Sequence, residues 1–208
     1  MSAATLMKVM KGARLFTNIF SPFYAPVWAV VWLLFFSTMR SFSLKYRLVL
    51  LMIIVVFTII VPRLTIYVLR KSGDFSRWQF DARTNRHMQY AISLISYVAC
   101  YLLLLRMDVF GFVACVIVAS ILAQIICFII NIWWKISVHM VGVGGWIGFV
   151  AAFSFRFGFD PVLPTCIVLA IAGVLGSCQM LFRQHSLVQI IVGFFVGMIC
   201  ARLTFMVM

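Results

Sequence analysis

The chain has 208 residues, of which 65% are hydrophobic and only 10% are charged, and this composition excludes an ordinary soluble domain with a polar surface. Its 17 Lys and Arg residues outnumber four acidic residues, so the net charge is +13. The basic residues lie mostly between apolar runs, where anionic lipid headgroups explain them, and nucleic acid is therefore not an expected partner.

Seven apolar segments follow one another along the chain, each long enough to cross a bilayer as a helix. We predict them at residues 22–39, 48–69, 88–105, 109–132, 138–155, 161–181 and 186–207. The connectors between them are short, which favours antiparallel neighbours in one bundle. The predicted fold class is an all-α polytopic transmembrane bundle of six to seven helices, in one integral-membrane domain over residues 1–208.

Prolines predict irregularities in the first two segments. Pro22 and Pro26 predict that the first segment is bent or interfacial, because proline interrupts helical hydrogen bonding. The preceding residues 1–20 predict an amphipathic lead-in. Pro62 and Arg63 lie deep within the second segment, where they predict a kink or an unusually polar spot.

The cysteine and acidic residues point to no metal site. Six cysteines lie in or beside the apolar segments, and none forms a Cys-x-x-Cys pair. This predicts small buried apolar residues rather than disulfides or zinc ligands. The chain has no Glu and its Asp residues are scattered among the connectors, so we expect neither a metal nor another cofactor.

The three histidines, His87, His139 and His185, all precede or begin an apolar segment. Counting crossings puts them on the N-terminal side of the membrane, which we call the histidine side. This side also has the excess of basic residues, which predicts a cytoplasmic location. The excess depends on residues with a possible functional role, so the count leaves the orientation open.

Basic residues and histidines gather at three predicted helix starts on the histidine side. These residues are Arg83 and Arg86, then Lys135, Ser137 and His139, then Arg183 and His185. The N–H groups and positive dipole end of a helix start favour an anion, and Arg and Lys bind phosphate oxygens. With two imidazoles nearby, phosphoryl transfer becomes possible, since one can attack phosphorus while the other protonates the leaving oxygen.

Each part of this pattern also has a structural interpretation. A basic residue beside a membrane helix commonly anchors it at the interface, and a single boundary histidine is commonly tolerated there. The latter interpretation is the one we favour for His87. The glycines in the last part of the chain are interpreted as close-packing positions, namely Gly142, Gly144, Gly145, Gly148, Gly193 and Gly197.

The order of a basic motif, a Ser-x-His motif and a second His that opens a Gly-containing helix resembles the type 2 phosphatidic acid phosphatase (PAP2) superfamily. That family has the pattern KxxxxxxRP, PSGH and SRxxxxxHxxxD. The resemblance extends from about residue 20 to the end, and includes the stretches SPFYAPVWAVVWLLFF and DARTNRHMQYAISLISY, which look like small, divergent bacterial members. It implies a multi-pass protein of the bacterial inner membrane.

The resemblance implies a role for individual residues. Ser137 and His139 match the second motif, in which the His protonates the leaving group. His185 stands at the family's nucleophile, and Gln189 stands four residues later, where the family has the Asp that orients it. The Arg six residues before the nucleophile is replaced by Gln179.

The resemblance also implies a set of phosphate ligands. Arg86, with Arg83 beside it, corresponds to the Arg of the first motif, although no Pro follows. Lys135 and Arg183 would supply the positive charges whose usual positions are not matched. Ser137 would donate a hydrogen bond to the phosphate.

Three functions follow as hypotheses. The first is a metal-independent phosphatase that cleaves a lipid phosphate monoester or diphosphate through a phosphohistidine. Its substrates would be lipids such as phosphatidic acid, phosphatidylglycerophosphate, a polyprenyl diphosphate or a lipid A type, and its partners membrane lipids. The second is a weakened or inactive relative that binds or transports a lipid phosphate, which the missing Asp and Arg favour. The third is a membrane scaffold, which would leave the clustered histidines and basic residues unexplained.

Overall fold

The computed structural model describes residues 3–36, 41–71, 82–109 and 111–207, with the side chains of 3–9, 36, 70 and 82–86 left aside. Its α-helices are α1 (Ala3–Ile19), α2 (Ala25–Phe36), α3 (Leu44–Val55), α4 (Val61–Lys71), α5 (Ala82–Arg106), α6 (Gly111–Trp133), α7 (Val138–Phe157), α8 (Val162–Leu181) and α9 (Leu187–Val207). Within these ranges the chain forms no strand. The all-α class is confirmed.

Seven helical stretches in the described part of the chain are long and apolar enough to span a membrane. They are Met10–Phe35, Leu44–Leu69, His87–Arg106, Gly111–Trp133, Val138–Phe157, Val162–Leu181 and Leu187–Val207. Six of them coincide with the predicted segments to within a few residues. The protein is therefore a multi-pass integral membrane protein with a polytopic helix bundle.

The first span begins earlier than the sequence predicted. α1 and α2 are joined by a 3₁₀ turn over Pro22–Tyr24, and together they form the stretch Met10–Phe35. Proline is compatible with the first turn of a helix, so Pro22 can begin this turn while the chain bends. Phe16 and Phe20 pack against the cluster that α7, α8 and α9 form. The predicted lead-in thus contributes its apolar half to the bundle.

The second span contains the predicted irregularity. α3 passes into α4 through a π-helical turn, Val56–Ile60, in which the N–H of Val61 donates to the carbonyl oxygen of Val56. The carbonyl oxygen of Phe57 instead accepts a hydrogen bond from the hydroxyl of Ser96 on α5. Such turns keep backbone groups satisfied where proline interrupts the helix, which membrane helices require.

Arg63 occupies the polar spot predicted beside Pro62. It donates a hydrogen bond to the hydroxyl of Tyr24 at 3.0 Å, and its guanidinium lies 5.0 Å from the centre of that ring. The span that contains Arg63 ends at Leu69, so the charge lies near the histidine side. A cation at this depth is stabilised by its contact with the aromatic face and by access to the interface.

Four glycines hold α7 and α9 in direct backbone contact. A Cβ atom would lie 1.9 Å from the carbonyl oxygen of Phe194 at Gly144, and 2.2 Å from that of Met198 at Gly148. On α9, Gly197 would meet the carbonyl oxygen of Val141 at 1.9 Å, and Gly193 that of Ser137 at 2.6 Å. The sequence interpretation of these four as close-packing positions is confirmed. Since one antiparallel helix separates α7 from α9, the two run parallel and begin on the histidine side.

Substitution of Gly144 by Ala should separate α7 from α9. Because the new methyl group would overlap the Phe194 carbonyl, we expect the free energy of unfolding in detergent to fall by about 1–3 kcal/mol, as overpacking typically does. The matched control is Gly173→Ala on α8, where the new Cβ would have no atom within 4 Å among the described residues beyond its own helical turn. Denaturant unfolding followed by circular dichroism measures both. Equal stability of the two variants would contradict the packing described here.

Candidate functional site

A cavity of about 370 Å³ opens among α2, α5, α6, α7 and α9. Its volume is in the range of small-molecule sites, about 300–1,000 Å³. On α6 its lining extends from Asn131 to Val116, which at about 1.5 Å per residue corresponds to a depth of about 22 Å. His139, His185 and Lys135 line its end on the histidine side, while Phe149 and Phe205 line its far end. The cavity therefore joins the predicted histidine pair to the apolar interior.

His185 is positioned by the start of α9. Ser186 and Gln189 form a reciprocal cap, in which the N–H of Ser186 donates to Gln189 Oε1 at 3.1 Å and the N–H of Gln189 donates to Ser186 Oγ at 3.4 Å. This is the capping-box pattern, and it fixes the direction in which the Gln189 side chain points. The same Oε1 lies 3.2 Å from His185 Nδ1. The predicted pairing of His185 with Gln189 is thus present.

The cap also determines the tautomer of His185. A backbone N–H can only donate, so the Gln189 atom that faces Ser186 must be its oxygen. An oxygen that also faces Nδ1 requires a proton on that nitrogen. Neutral His185 therefore carries its proton on Nδ1 and its lone pair on Nε2, which is the form a nucleophile needs.

His139 lies in the first turn of α7, two residues after the N-cap Ser137. It lines the cavity together with His185. The glycine contacts of α7 and α9 explain this proximity, because they place two parallel helix starts side by side. The structure therefore brings together the two histidines that the sequence analysis paired.

Lys135 connects the loops that precede α7 and α9. Its ammonium donates to the carbonyl oxygen of Gln184 at 2.6 Å, and its side chain lines the cavity. Lys135 precedes α7, whereas Gln184 lies between α8 and α9. The predicted basic residue thus lies at the cavity end that holds the histidines.

Arg183 forms the turn that ends α8. Its φ is 50°, in the left-handed region that glycine usually occupies at this position. The N–H of Arg183 donates to Met180 O at 2.9 Å, and that of Gln184 donates to Gln179 O at 3.1 Å. This is a Schellman motif, and it turns the chain toward His185. The Arg183 side chain is exposed and is not among the described residues that line the cavity.

Ser137 has a different environment from the one the sequence suggested. It is completely buried, donates to Gln179 Oε1 at 2.5 Å, and accepts from the N–H of Met140 at 3.5 Å. It is also absent from the described lining of the cavity. In the structure Ser137 therefore caps α7 and joins it to α8 through Gln179, while its predicted contact with phosphate stays a prediction.

Arg83 and Arg86 lie in the first turns of α5, but their side chains are outside the described part of the chain. Their predicted role as phosphate ligands stays a prediction. His87 follows them and packs edge-on against Phe128, with 5.1 Å between the ring centres. It is not among the described cavity-lining residues, which agrees with the structural role that we favoured for it.

The sequence analysis missed four further polar side chains that line the cavity. Gln89 on α5, Gln124 and Asn131 on α6, and Trp146 on α7 all line it. Their position within apolar segments could have indicated this, because polar residues in membrane helices are costly unless they face the interior of the bundle. Gln124 and Asn131 are also seven residues apart, which places them on one helix face.

Among the described residues, no group of three or more His, Cys, Asp or Glu is arranged to hold a metal ion. Comparison with protein-family models, with curated proteins and with solved structures yields no match. Residues and geometry alone therefore carry the functional proposal.

Substitution of Arg183 by Gly should stabilise the protein relative to substitution by Ala. Both changes remove the guanidinium, but only glycine adopts the left-handed conformation without a steric penalty, so we expect a difference of about 1 kcal/mol in the free energy of unfolding. Asp108 also has a positive φ of 46°, and Asp108→Gly against Asp108→Ala provides the matched comparison far from the histidines. Chemical denaturation in detergent gives all four values. If Arg183→Ala is as stable as Arg183→Gly, the assigned turn is contradicted.

Proposed function

We propose that this chain is a PAP2-type membrane phosphatase that hydrolyses a lipid phosphate or diphosphate through a phosphohistidine. The observation that carries the proposal is the shared cavity of His139 and His185, with His185 Nδ1 held by Gln189. The setting that the resemblance implies is the inner membrane of a bacterium. The lipid tail would occupy the apolar part of the cavity, and the phosphate would occupy the end on the histidine side.

His185 is the proposed nucleophile. Its Nε2 lone pair attacks phosphorus and the phosphorus–oxygen bond to the lipid breaks. His139, which takes up a proton when the negatively charged phosphate binds beside it, gives this proton to the leaving oxygen. A water molecule then attacks the phosphohistidine and loses its proton to His139. The phosphorus–nitrogen bond breaks, and phosphate leaves with His185 restored.

Electrostatic stabilisation of the phosphate is assigned to the groups around the two helix starts. Lys135 is already at the cavity, and the first N–H groups of α7 and α9 carry the positive ends of two parallel helix dipoles. Arg83, Arg86 and Arg183 complete the proposed set of cations. A doubly charged phosphate would thus meet positive charge from three parts of the chain.

A second candidate is a protein that binds or carries a lipid phosphate without cleaving it. Two observations favour it, since Gln189 is neutral and cannot stabilise an imidazolium as a carboxylate does, and Gln179 replaces an Arg and is buried against Ser137. The cap at Ser186 offsets part of the effect of the missing carboxylate, because it keeps the proton of His185 on Nδ1. In Ser-His-Asp triads, which offer an analogy, loss of the corresponding tautomer accounts for a large share of the rate that is lost when the Asp is changed to Asn.

The enzyme proposal predicts phosphate release from lipid phosphates in detergent without metal and in the presence of EDTA. The substrates to compare are phosphatidic acid, phosphatidylglycerophosphate and a polyprenyl diphosphate. His185→Ala should reduce release to background and His139→Ala should reduce it by about 100-fold or more, the usual contribution of a general acid. His87→Ala is the matched control, since His87 lies outside the described lining, and it should retain activity. If no substrate is cleaved but lipid phosphate still binds, the second candidate is correct.

Gln189→Glu should raise the phosphatase rate. Glu has the same length as Gln, so it keeps the bonds to His185 and Ser186 while adding a negative charge that stabilises the imidazolium. We expect kcat to rise by about tenfold or more, whereas Gln189→Leu, which loses both bonds, should lower it. Single-turnover kinetics with a folded-state check by thermal unfolding measures the change. A Glu variant slower than the natural protein would argue against Gln189 as the residue that positions the nucleophile.

A further inference from the structure

Three polar side chains lie in the cavity and have a polar atom without a partner. They are Gln124 and Asn131 on α6 and Trp146 on α7, which we call the polar shelf. Gln124 Oε1, Asn131 Nδ2 and Trp146 Nε1 have no hydrogen-bond partner among the described residues. Asn131 is only 3% exposed. Polar groups at membrane depth are costly unless they are satisfied. Each of these three atoms is itself buried although its residue lines the cavity, so a ligand in the cavity would bond to it after a rotation of the side chain.

The polar shelf occupies a defined depth below the histidines. α6 and α7 are antiparallel neighbours joined by a short connector, and Asn131 lies near its end on the histidine side. Gln124 is seven residues before Asn131, and Trp146 is seven residues after His139, so each lies about 10 Å deeper along its helix. The shelf therefore begins at the level of the histidines and extends two helical turns below them.

We infer that the polar shelf binds the oxygen-bearing linker of a glycerolipid phosphate, whose ester carbonyls lie a few covalent bonds from the phosphate. The inference rests on the proposed function, because it takes the phosphate to be held at His139 and His185. Asn131 Nδ2 and Trp146 Nε1 are donors, which match carbonyl oxygens. The Gln124 amide can accept from a hydroxyl group or donate to a further carbonyl.

A polyprenyl phosphate does not match the same positions. Its chain carries no hydrogen-bonding atom beyond the phosphate, so it would leave the three shelf residues unsatisfied next to hydrocarbon. A site that can hydrogen-bond a ligand discriminates strongly against an analogue that lacks the partner group. The shelf is thus a specificity determinant for the lipid, distinct from the groups proposed to act on phosphorus.

The deep end of the cavity agrees with this assignment. Below the shelf its lining includes Val116, Phe149, Ala201 and Phe205, which are apolar. The Phe149 and Phe205 rings pack against each other at that end, with 5.1 Å between their centres. This region is suited to acyl chain, so one cavity would hold the phosphate, linker and hydrocarbon of a single lipid in order.

The test is a lipid-binding measurement on the full chain in detergent, in a His185→Ala background that prevents turnover. The probes are dioleoyl phosphatidic acid, its dialkyl ether analogue, which lacks both carbonyls, and undecaprenyl monophosphate. We expect the diacyl lipid to bind at least about tenfold more tightly than either of the others. Each of three shelf variants should lower the affinity for the diacyl lipid by about threefold to tenfold and leave the affinity for the polyprenyl lipid unchanged. These variants are Gln124→Leu, Asn131→Leu and Trp146→Phe.

The matched control is Ser177→Ala, which removes an exposed hydroxyl on α8, and it should change no affinity. The inference is overturned if undecaprenyl monophosphate binds as tightly as the diacyl lipid. It is also overturned if the shelf variants lower the affinity for all three lipids equally, or lower it for none of them. Its failure is distinguishable from that of the proposed function. Tighter binding of the diacyl lipid without any phosphate release would contradict only the proposed phosphatase activity. Release of phosphate from polyprenyl diphosphate in preference to phosphatidic acid would contradict only the proposed role of the polar shelf.

Discussion

The candidate site depends on the direct backbone contact between α7 and α9. In a bilayer the hydrophobic effect does not drive helices together, so close approach through small residues supplies much of the attraction. Gly144 and Gly148 on one helix and Gly193 and Gly197 on the other allow carbonyl groups into positions that any side chain would fill. Because the helices are parallel, this contact also sets the level at which both begin. His139 and His185 share a cavity as a consequence.

The second constraint is the need to satisfy polar groups away from water. The loops before α7 and α9 meet it through the bond from Lys135 to the Gln184 carbonyl, and Ser137 at the start of α7 meets it by donating to Gln179 on α8. The Ser186 cap does the same for α9 and orients Gln189 toward His185. Structure and proposed chemistry thus use the same bonds, and a change in a capping residue would also alter the tautomer of the proposed nucleophile.

Polar residues were harder to interpret from the chain than apolar ones. Ser137 and His139 are two residues apart and match one motif, yet the serine is buried against Gln179 while the histidine lines the cavity. Gln124, Asn131 and Trp146 looked like isolated residues in apolar segments because their common environment is formed by two helices. Spacing places Gln124 and Asn131 on one helix face, but neither the burial of Ser137 nor the approach of Trp146 to that face could be read from it, since the direction of a side chain in a bundle depends on how each helix is rotated against its neighbours.

The sequence by itself determined the number and order of the membrane spans, because the length of an apolar run must match the bilayer. It also determined which residues lie near the histidine side, since antiparallel crossings leave little freedom in that assignment. Only the tertiary structure decided which of those residues meet. The depth of the cavity, the pairing of His185 with Gln189 and the burial of Ser137 arise from contacts between distant segments, whose geometry depends on helix rotation and register.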